Sequence, residues 1–297
     1  MKKIYFIYNP KSGKGQIGSK LNEIIQTLAK KNNELTVVPT ICAKDALNRI
    51  QNLPEGYDRV VCSGGDGTLD EVVTGMMSHP RKKRIPIGYI PAGTTNDFAK
   101  SLNIPKNMVD AAKIAVGGKK FPCDIGKFND DYFIYVAAFG LFTDVSYTTK
   151  QEFKHVLGHM AYVLEGMKRL YNVKSYKMKV SSDERDFAGE FLLGMVTNSK
   201  SVAGFEWVNG KNAKFDDGVF EVLFIKKPKK AIEIQEILAA LLREEIDERY
   251  MYFFRTKRLV IEAENGVCWT LDGEFGGEHQ RVEIENKPKQ IDIIIKR

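Results

Sequence analysis

Val60-Val61-Cys62-Ser63-Gly64-Gly65-Asp66-Gly67-Thr68-Leu69-Asp70-Glu71 is the stretch on which the reading of this chain turns. Its first part, with Arg59, has the length and β-branching of a buried strand. Val72, Val73 and Met76 then recur at helical spacing. Between strand and helix, Gly64, Gly65 and Gly67 let the backbone turn sharply and a ligand approach closely. A helix opening there aims its free N–H groups and positive dipole end at the turn, which suits a phosphate. Asp66 is expected to act as a cap, as a turn residue, or through Mg²⁺ or water. Asp70 and Glu71 read as first-turn acids serving the helix dipole alone.

The same strand–turn–helix pattern recurs on both sides. Residues 4–8 read as a strand followed by Asn9-Pro10-Lys11-Ser12-Gly13-Lys14-Gly15, a glycine turn with a hydroxyl and ammonium groups that suit an anion. It lacks the GxxxxGK[ST] spacing of a Walker A loop. Residues 87–90 read as another strand, leading into Pro91-Ala92-Gly93-Thr94-Thr95-Asn96-Asp97, where Thr94, Thr95 or Asn96 would cap the next helix. Leu21, Ile24, Ile25 and Leu28 mark a helix, residues 35–38 a strand, and Ala46, Leu47 and Ile50 another helix. This βαβα order predicts a Rossmann-like α/β domain over residues 1–125, a parallel sheet with its site at the carboxyl ends of the strands. Three Gly/Thr/Asp turns at one sheet edge favour a phosphate-binding rim over packing alone.

Beyond residue 125 the periodicity changes to two. Strands are expected at 132–138, 175–180, 191–197, 219–225, 259–263 and 282–284, giving an antiparallel β-sandwich-like domain over 126–286. Two apolar stripes at helical spacing interrupt it, one from Val156 to Leu170 and one from Ile234 to Leu242. A last strand within 287–297 has the option of completing the first domain. Two acidic turns stand out. Lys214-Phe215-Asp216-Asp217-Gly218-Val219 is a β-turn or an oxygen-rich Mg²⁺ site. Trp269-Thr270-Leu271-Asp272-Gly273-Glu274 is a hairpin turn or a place where burial raises a carboxyl pKa and makes a general base.

Composition narrows the classes. No run of about 18 apolar residues is present, so no helix is expected to span a bilayer. Met1 to Tyr8 reads as a first strand rather than a leader, and the chain is expected in the cytoplasm. Cys42, Cys62, Cys123 and Cys268 are too dispersed for a zinc site or disulfide frame. His155 and His159 lack the glutamate of a HExxH metal helix. The net charge of +7, with basic runs at Arg81–Lys83 plus Arg84 and at residues 226–230, suits nucleotide phosphates or anionic lipid. No aromatic–basic pattern of a nucleic-acid module accompanies it.

At NPKSGKG (9–15), GGDGT (64–68), GTTNDFA (93–99), LGHMAY (157–162), DDG (216–218) and LDGE (271–274), the chain resembles the soluble bacterial diacylglycerol kinases, relatives of sphingosine and ceramide kinases. The match runs in order over essentially the whole chain. The resemblance implies an ATP-dependent lipid kinase, with ATP between the domains and lined by Asn9, Pro10, Lys11, Ser12, Gly13, Thr40, Gly64, Gly65, Asp66, Gly67, Thr68, Leu69, Asp70 and Thr94. It implies a structural Mg²⁺ on the Asp217 carboxylate and the carbonyls of Lys214 and Val219, linked through waters to Asp66, Asp97 and Asp124. Glu274 would take the proton of the lipid hydroxyl, assisted by Asp272. Asp70 departs from the family, which more often has Asn there. The implied acceptor is diacylglycerol, giving phosphatidic acid at an anionic inner membrane surface. Phosphatidylglycerol, monoacylglycerol and sphingoid bases are alternatives, and a homodimer through an exposed edge strand is open. The rivals are an NAD kinase, which shares GGDGT, and a nucleotide- or lipid-binding regulator without turnover.

Overall fold

The computed structural model describes residues 1–13, 15–30, 32–140, 174–198, 201–202, 205–206, 214–243 and 245–297. The stripe from Val156 to Leu170, the His155/His159 pair, the motif at 157–162, and residues Lys14, Asn212 and Ala213 lie outside the described residues. Chain contacts divide it into two units. One comprises Met1–Ile125, Phe215–Gly218 and Lys287–Arg297; the other comprises Gly126–Lys214 and Val219–Asn286.

In the first unit, β1 (Lys3–Tyr8), α1 (Ile17–Leu28), β2 (Glu34–Pro39), α2 (Asp45–Gln51), β3 (Arg59–Gly64), α3 (Asp66–Met77) and β4 (Ile87–Pro91) alternate. The short helix α4 (Asp97–Ser101) and then α5 (Met108–Gly117) follow. The strands form a parallel sheet in the order β2-β1-β3-β4. Every residue of β3 and β4 is buried, as expected of inner parallel strands, whereas β2 at the edge is half exposed. From β1 the chain goes to β2 on one side and later to β3 on the other. The crevice between the carboxyl ends of β1 and β3 is therefore the switch point at which open α/β sheets bind ligands. α5 is capped by the Asn107 side chain, which accepts from the Val109 and Asp110 amides, a signal not read from the sequence. Near the C-terminus, Ile293 and Ile294 pair in parallel with Ile87 and Gly88.

β5 (Lys119–Phe128) leads into the second unit, which holds β6 (Asp131–Phe133), β7 (Val136–Gly140), β8 (Tyr176–Ser182), β9 (Asp186–Thr197), the short pair β10 (Ser201–Val202) and β11 (Phe205–Glu206), and β12 (Phe220–Lys226). Then come α6 (Ala231–Leu242), β13 (Met251–Thr256), β14 (Arg258–Leu271) and β15 (Glu274–Ile295). The long strands β9 and β14 each pair antiparallel with β7 along one part and with β8 along another, while β12 and β13 extend the ladder from β9. Aromatic side chains fill the interior. Trp269 meets Phe139 at 4.9 Å and Phe128 at 5.1 Å between ring centroids, in the edge-to-face arrangement that their quadrupoles favour. The result is the α/β-plus-β-sandwich-like class expected above.

One expected strand is broken, and the reason is electrostatic. Residues 132–138 are expected above as a single strand, yet β6 ends at Phe133 and β7 begins at Val136. In the gap, the buried Asp272 carboxylate accepts the amides of Ile134 (2.6 Å), Tyr135 (3.0 Å) and Val136 (2.9 Å). The Tyr135 hydroxyl donates to the Asp272 carbonyl at 3.1 Å. A charged acceptor outcompetes a neutral ladder bond, since charge-assisted hydrogen bonds are roughly twice as strong. Asp272 itself sits in a two-residue turn with Gly273, at φ of 51° and 89°. Positive φ at both positions is the I′ geometry whose twist matches a hairpin, here β14 to β15. Asp272→Asn replaces one acceptor oxygen with an NH₂ that cannot receive an amide. It should cost about 1–3 kcal/mol of stability, the penalty for an orphaned buried donor. Urea unfolding measures the loss, and hydrogen exchange should accelerate at Ile134–Val136 before elsewhere. Unchanged exchange there would contradict the assignment.

Candidate functional site

Three turns meet at the carboxyl ends of β1, β3 and β4, and they meet backbone to backbone. A Cβ placed on Gly93 would lie 2.5 Å from the Cα of Gly65, and one on Gly13 would lie 2.5 Å from the carbonyl oxygen of Ala92. Both distances are shorter than real Cβ contacts allow, so glycine is obligatory where these loops approach. Gly13 also has φ +59°, in the left-handed region that favours glycine.

Polar side chains lock this approach. The Asn9 amide N–H donates to the Ser63 carbonyl at 2.8 Å, and its side chain accepts from Lys11 N–H at 2.9 Å and donates to Thr68 Oγ1 at 3.3 Å. The Asp66 carboxylate reaches across to the third turn, accepting from the amides of Asp97 (3.2 Å) and Phe98 (3.4 Å). Asp66 is thus a cap, and the helix it caps is α4 rather than its own. Asn96 folds back instead, with its side chain accepting from Gly93 N–H at 2.9 Å and donating to Gly93 O at 2.8 Å. The Tyr89 hydroxyl links the second and third turns by donating to Gly64 O at 3.2 Å and to Asn96 Oδ1 at 3.4 Å. Burial pushes the Asp66 carboxyl above its ordinary value. The amides of Asp97 and Phe98 and the Lys100 ammonium oppose that rise, and the Asp97 carboxyl adds to it.

The N-terminus of α3 opens onto these turns. Its cap is Gly65, which supplies no side-chain acceptor, so the first-turn amides are not satisfied by a cap side chain. Such amides, with the helix dipole, constitute an anion site. Pro10, Lys11, Gly13 and Thr94 are exposed and Gly65, Asp66, Gly67 and Thr40 half-buried, while Gly64, Ser12 and Thr68 are buried. Thr40 N–H donates to Tyr8 O at 2.8 Å, which places it at the end of β1. The Leu69 side chain is fully buried, so only its backbone is available to a ligand. Asp70 is half-buried in the first turns of α3.

Glu71 corrects the sequence reading. Its two carboxylate oxygens accept the amides of Lys44 (2.9 Å) and Ala46 (3.1 Å), so it caps the start of α2 instead of serving only its own helix dipole. Lys44, at φ 63°, occupies the N-cap of α2 without a side-chain cap bond, and this leaves the role to Glu71. Tyr89 and Asn96 were likewise unread as clasps. The signal for Tyr89 was a lone hydroxyl in an otherwise apolar strand; nothing local announced Glu71, whose partners lie 25 and 27 residues away.

A second acidic group lies in the same unit. Asp124 is fully buried and accepts from Gly218 N–H at 2.6 Å and Lys289 N–H at 2.8 Å. Burial raises its pKa, the two amides lower it, and the neighbouring Asp217 and Asp216 carboxyls raise it again. Asp217 and Lys214 are exposed. Among the described residues no group of three or more His, Cys, Asp or Glu side chains forms a metal cage. Mg²⁺ is commonly held by only one or two carboxylates while keeping several waters, so an exposed Asp217 beside the acids Asp124 and Asp216 fits that cation.

In the second unit, Glu274 follows the Asp272–Gly273 turn and is exposed, so the burial expected above is not what the fold supplies. Asp272, by contrast, is buried and accepts three backbone amides beside the hairpin that carries Glu274. Among the described residues no helix is long and apolar enough to cross a membrane.

Comparison with known proteins identifies the family. Residues 3–128 match the model of the diacylglycerol kinase catalytic domain, and residues 137–295 match the YegS C-terminal NAD kinase beta sandwich-like domain. The chain is 34% identical over 279 residues to a diacylglycerol kinase of Bacillus subtilis (strain 168), covering 93% of this chain and 91% of that protein. It is 36% identical over 279 residues to a diacylglycerol kinase of Staphylococcus carnosus (strain TM300), covering 93% and 90%. A Bacillus anthracis str. Sterne protein solved as a candidate diacylglycerol kinase superposes with a TM-score of 0.85 at 27% identity, over 99% of this chain and 95% of that one. With both of its domains matched and relatives of this identity along nearly its full length, the chain belongs to the diacylglycerol kinase family.

Proposed function

We propose that this protein transfers the γ-phosphoryl group of ATP to the hydroxyl of diacylglycerol, giving phosphatidic acid and ADP. The observation that carries the nucleotide half is the convergence of three glycine turns on the N-terminus of α3, whose cap supplies no side-chain acceptor. The curated relatives bear the name of the lipid half.

In this reading the ATP phosphates lie against Asn9 to Gly13, the amides from Gly64 to Asp70, Thr40 and Thr94. The turns are held rigid by Asn9, Asp66 and Asn96, so little reorganisation accompanies transfer, and positioning supplies most of the catalysis. Mg²⁺, when bound, neutralises phosphate charge. Asp217, with the carbonyls of Lys214 and Val219, would hold a structural Mg²⁺ beside Asp124. Glu274 accepts the proton of the lipid hydroxyl as that oxygen bonds to the γ-phosphorus. The bond from the γ-phosphorus to the bridging oxygen breaks, and ADP leaves. Asp272 serves by fixing the hairpin on which Glu274 stands. A basic chain of net charge +7 would meet the membrane as a peripheral protein on an anionic inner face, with binding that weakens as salt rises.

Glu274→Gln should fold normally and lose activity by about 10²–10⁴-fold, the usual contribution of a general base. ADP release in mixed micelles of diacylglycerol measures this, and wild-type turnover by the variant would remove Glu274 from the mechanism. Mg²⁺ should raise the thermal midpoint of the nucleotide-free protein, because a bound cation stabilises the folded state and offsets the mutual repulsion of the neighbouring Asp124, Asp216 and Asp217 carboxyls. Asp217→Asn should abolish most of that rise. An equal rise in the variant would place the cation elsewhere.

A further inference from the structure

The hairpin tip that carries Glu274 presents one more residue to solvent. Phe275 is 58% exposed, and the other large hydrophobic side chains exposed among the described residues are Met1, Val37, Ile41 and Ile232. It is the one aromatic in that set, and it adjoins the glutamate assigned to the acceptor hydroxyl. Its exposure is built into the backbone. The turn at Asp272 and Gly273 is a tight I′ pair, and Asp272 ties that turn to three buried amides. In the ladder, Glu274 stands opposite Leu271 and Phe275 opposite Thr270, both of which are buried. Adjacent strand residues face opposite sides and are offset by about 3.3 Å along the strand. A fixed tip therefore offers a carboxylate on one side and an apolar ring on the other, about one residue apart.

We propose that Phe275 is an interfacial anchor: it enters the acyl boundary of a bilayer and so holds Glu274 at the depth of a lipid hydroxyl. This rests on the lipid-kinase reading above. A lipid hydroxyl sits at the border between head groups and chains, and amphipathic or aromatic side chains settle at that border. An enzyme whose base must meet such a hydroxyl gains from an apolar residue next to the base. The occupant of the Phe275 surface is the acyl region of a lipid bilayer. It acts as a positioning residue and takes no part in proton or phosphoryl transfer.

The test compares two diacylglycerols that share one acceptor hydroxyl: dioleoylglycerol in phosphatidylcholine–phosphatidylglycerol vesicles, and water-dispersed dihexanoylglycerol. Phe275→Ser should lower kcat/KM on vesicles about tenfold or more, as expected for a buried Phe side chain returned to water, and leave the dispersed substrate unaffected. Phe275→Leu should retain activity on vesicles. Phe275→Trp, read as a difference from the parent with its native Trp207 and Trp269, should shift to shorter emission wavelength on vesicles lacking diacylglycerol. Equal losses on both substrates, or no loss on vesicles, overturn the anchor. If the parent phosphorylates neither lipid, the kinase reading has failed. The anchor then stands or falls on the Trp emission alone, and an unshifted spectrum overturns it.

Discussion

The approach of Gly65 to Gly93 governs the first unit. No side chain fits on Gly93 there, and a Cβ on Gly13 would come equally close to the backbone at Ala92. Removing the side chains leaves peptide groups as the surface a ligand meets, and peptide N–H groups are what a polyanion needs. Bare backbone is also entropically costly to hold in place. The surrounding clasps answer that cost: Asn9 to Thr68, Asp66 to the start of α4, Asn96 to Gly93, and Tyr89 to both. Each joins residues of different turns or fixes one turn on itself, so the cradle is one connected object instead of three loops.

The carboxylates divide into two kinds. Asp66, Glu71, Asp124 and Asp272 accept backbone amides, and a carboxylate engaged in that way holds structure. Glu274 is exposed at the end of a hairpin whose turn is fixed by one of the others. Asp272 and Glu274 are two residues apart in sequence and differ entirely in environment. The base proposed for Glu274 requires an accessible carboxylate, whereas the carboxylate that interrupts the β-strand is buried.

Much of this was legible from residue pattern. The alternation of β-branched runs with helical stripes placed β1 to β4 and α1 to α3, since burial on both faces of a parallel sheet demands continuous apolar strands. Glycine spacing marked the three turns. The breaks were long-range. Residues 132–138 read as one strand, but a carboxylate 137 residues from Tyr135 takes the amides at its centre. The strand at Met251–Thr256 was not among those expected from the sequence. Glu71 looked like a first-turn acid, and only the fold shows α2 starting beneath it. The exposure of Glu274 was unreadable because Leu271 and Trp269 suggested a buried neighbourhood. They are buried, but the turn carries the chain past them into solvent.

The proposed phosphoryl transfer from nucleotide to lipid can be observed directly. The purified protein is incubated with Mg²⁺, ATP labelled in its γ-phosphate and a panel of diacylglycerol, monoacylglycerol, phosphatidylglycerol, sphingoid base and NAD. Label appearing in phosphatidic acid, in preference to every other product, is the predicted result. Label in NADP, or none in any lipid while the protein still binds ATP, would contradict it.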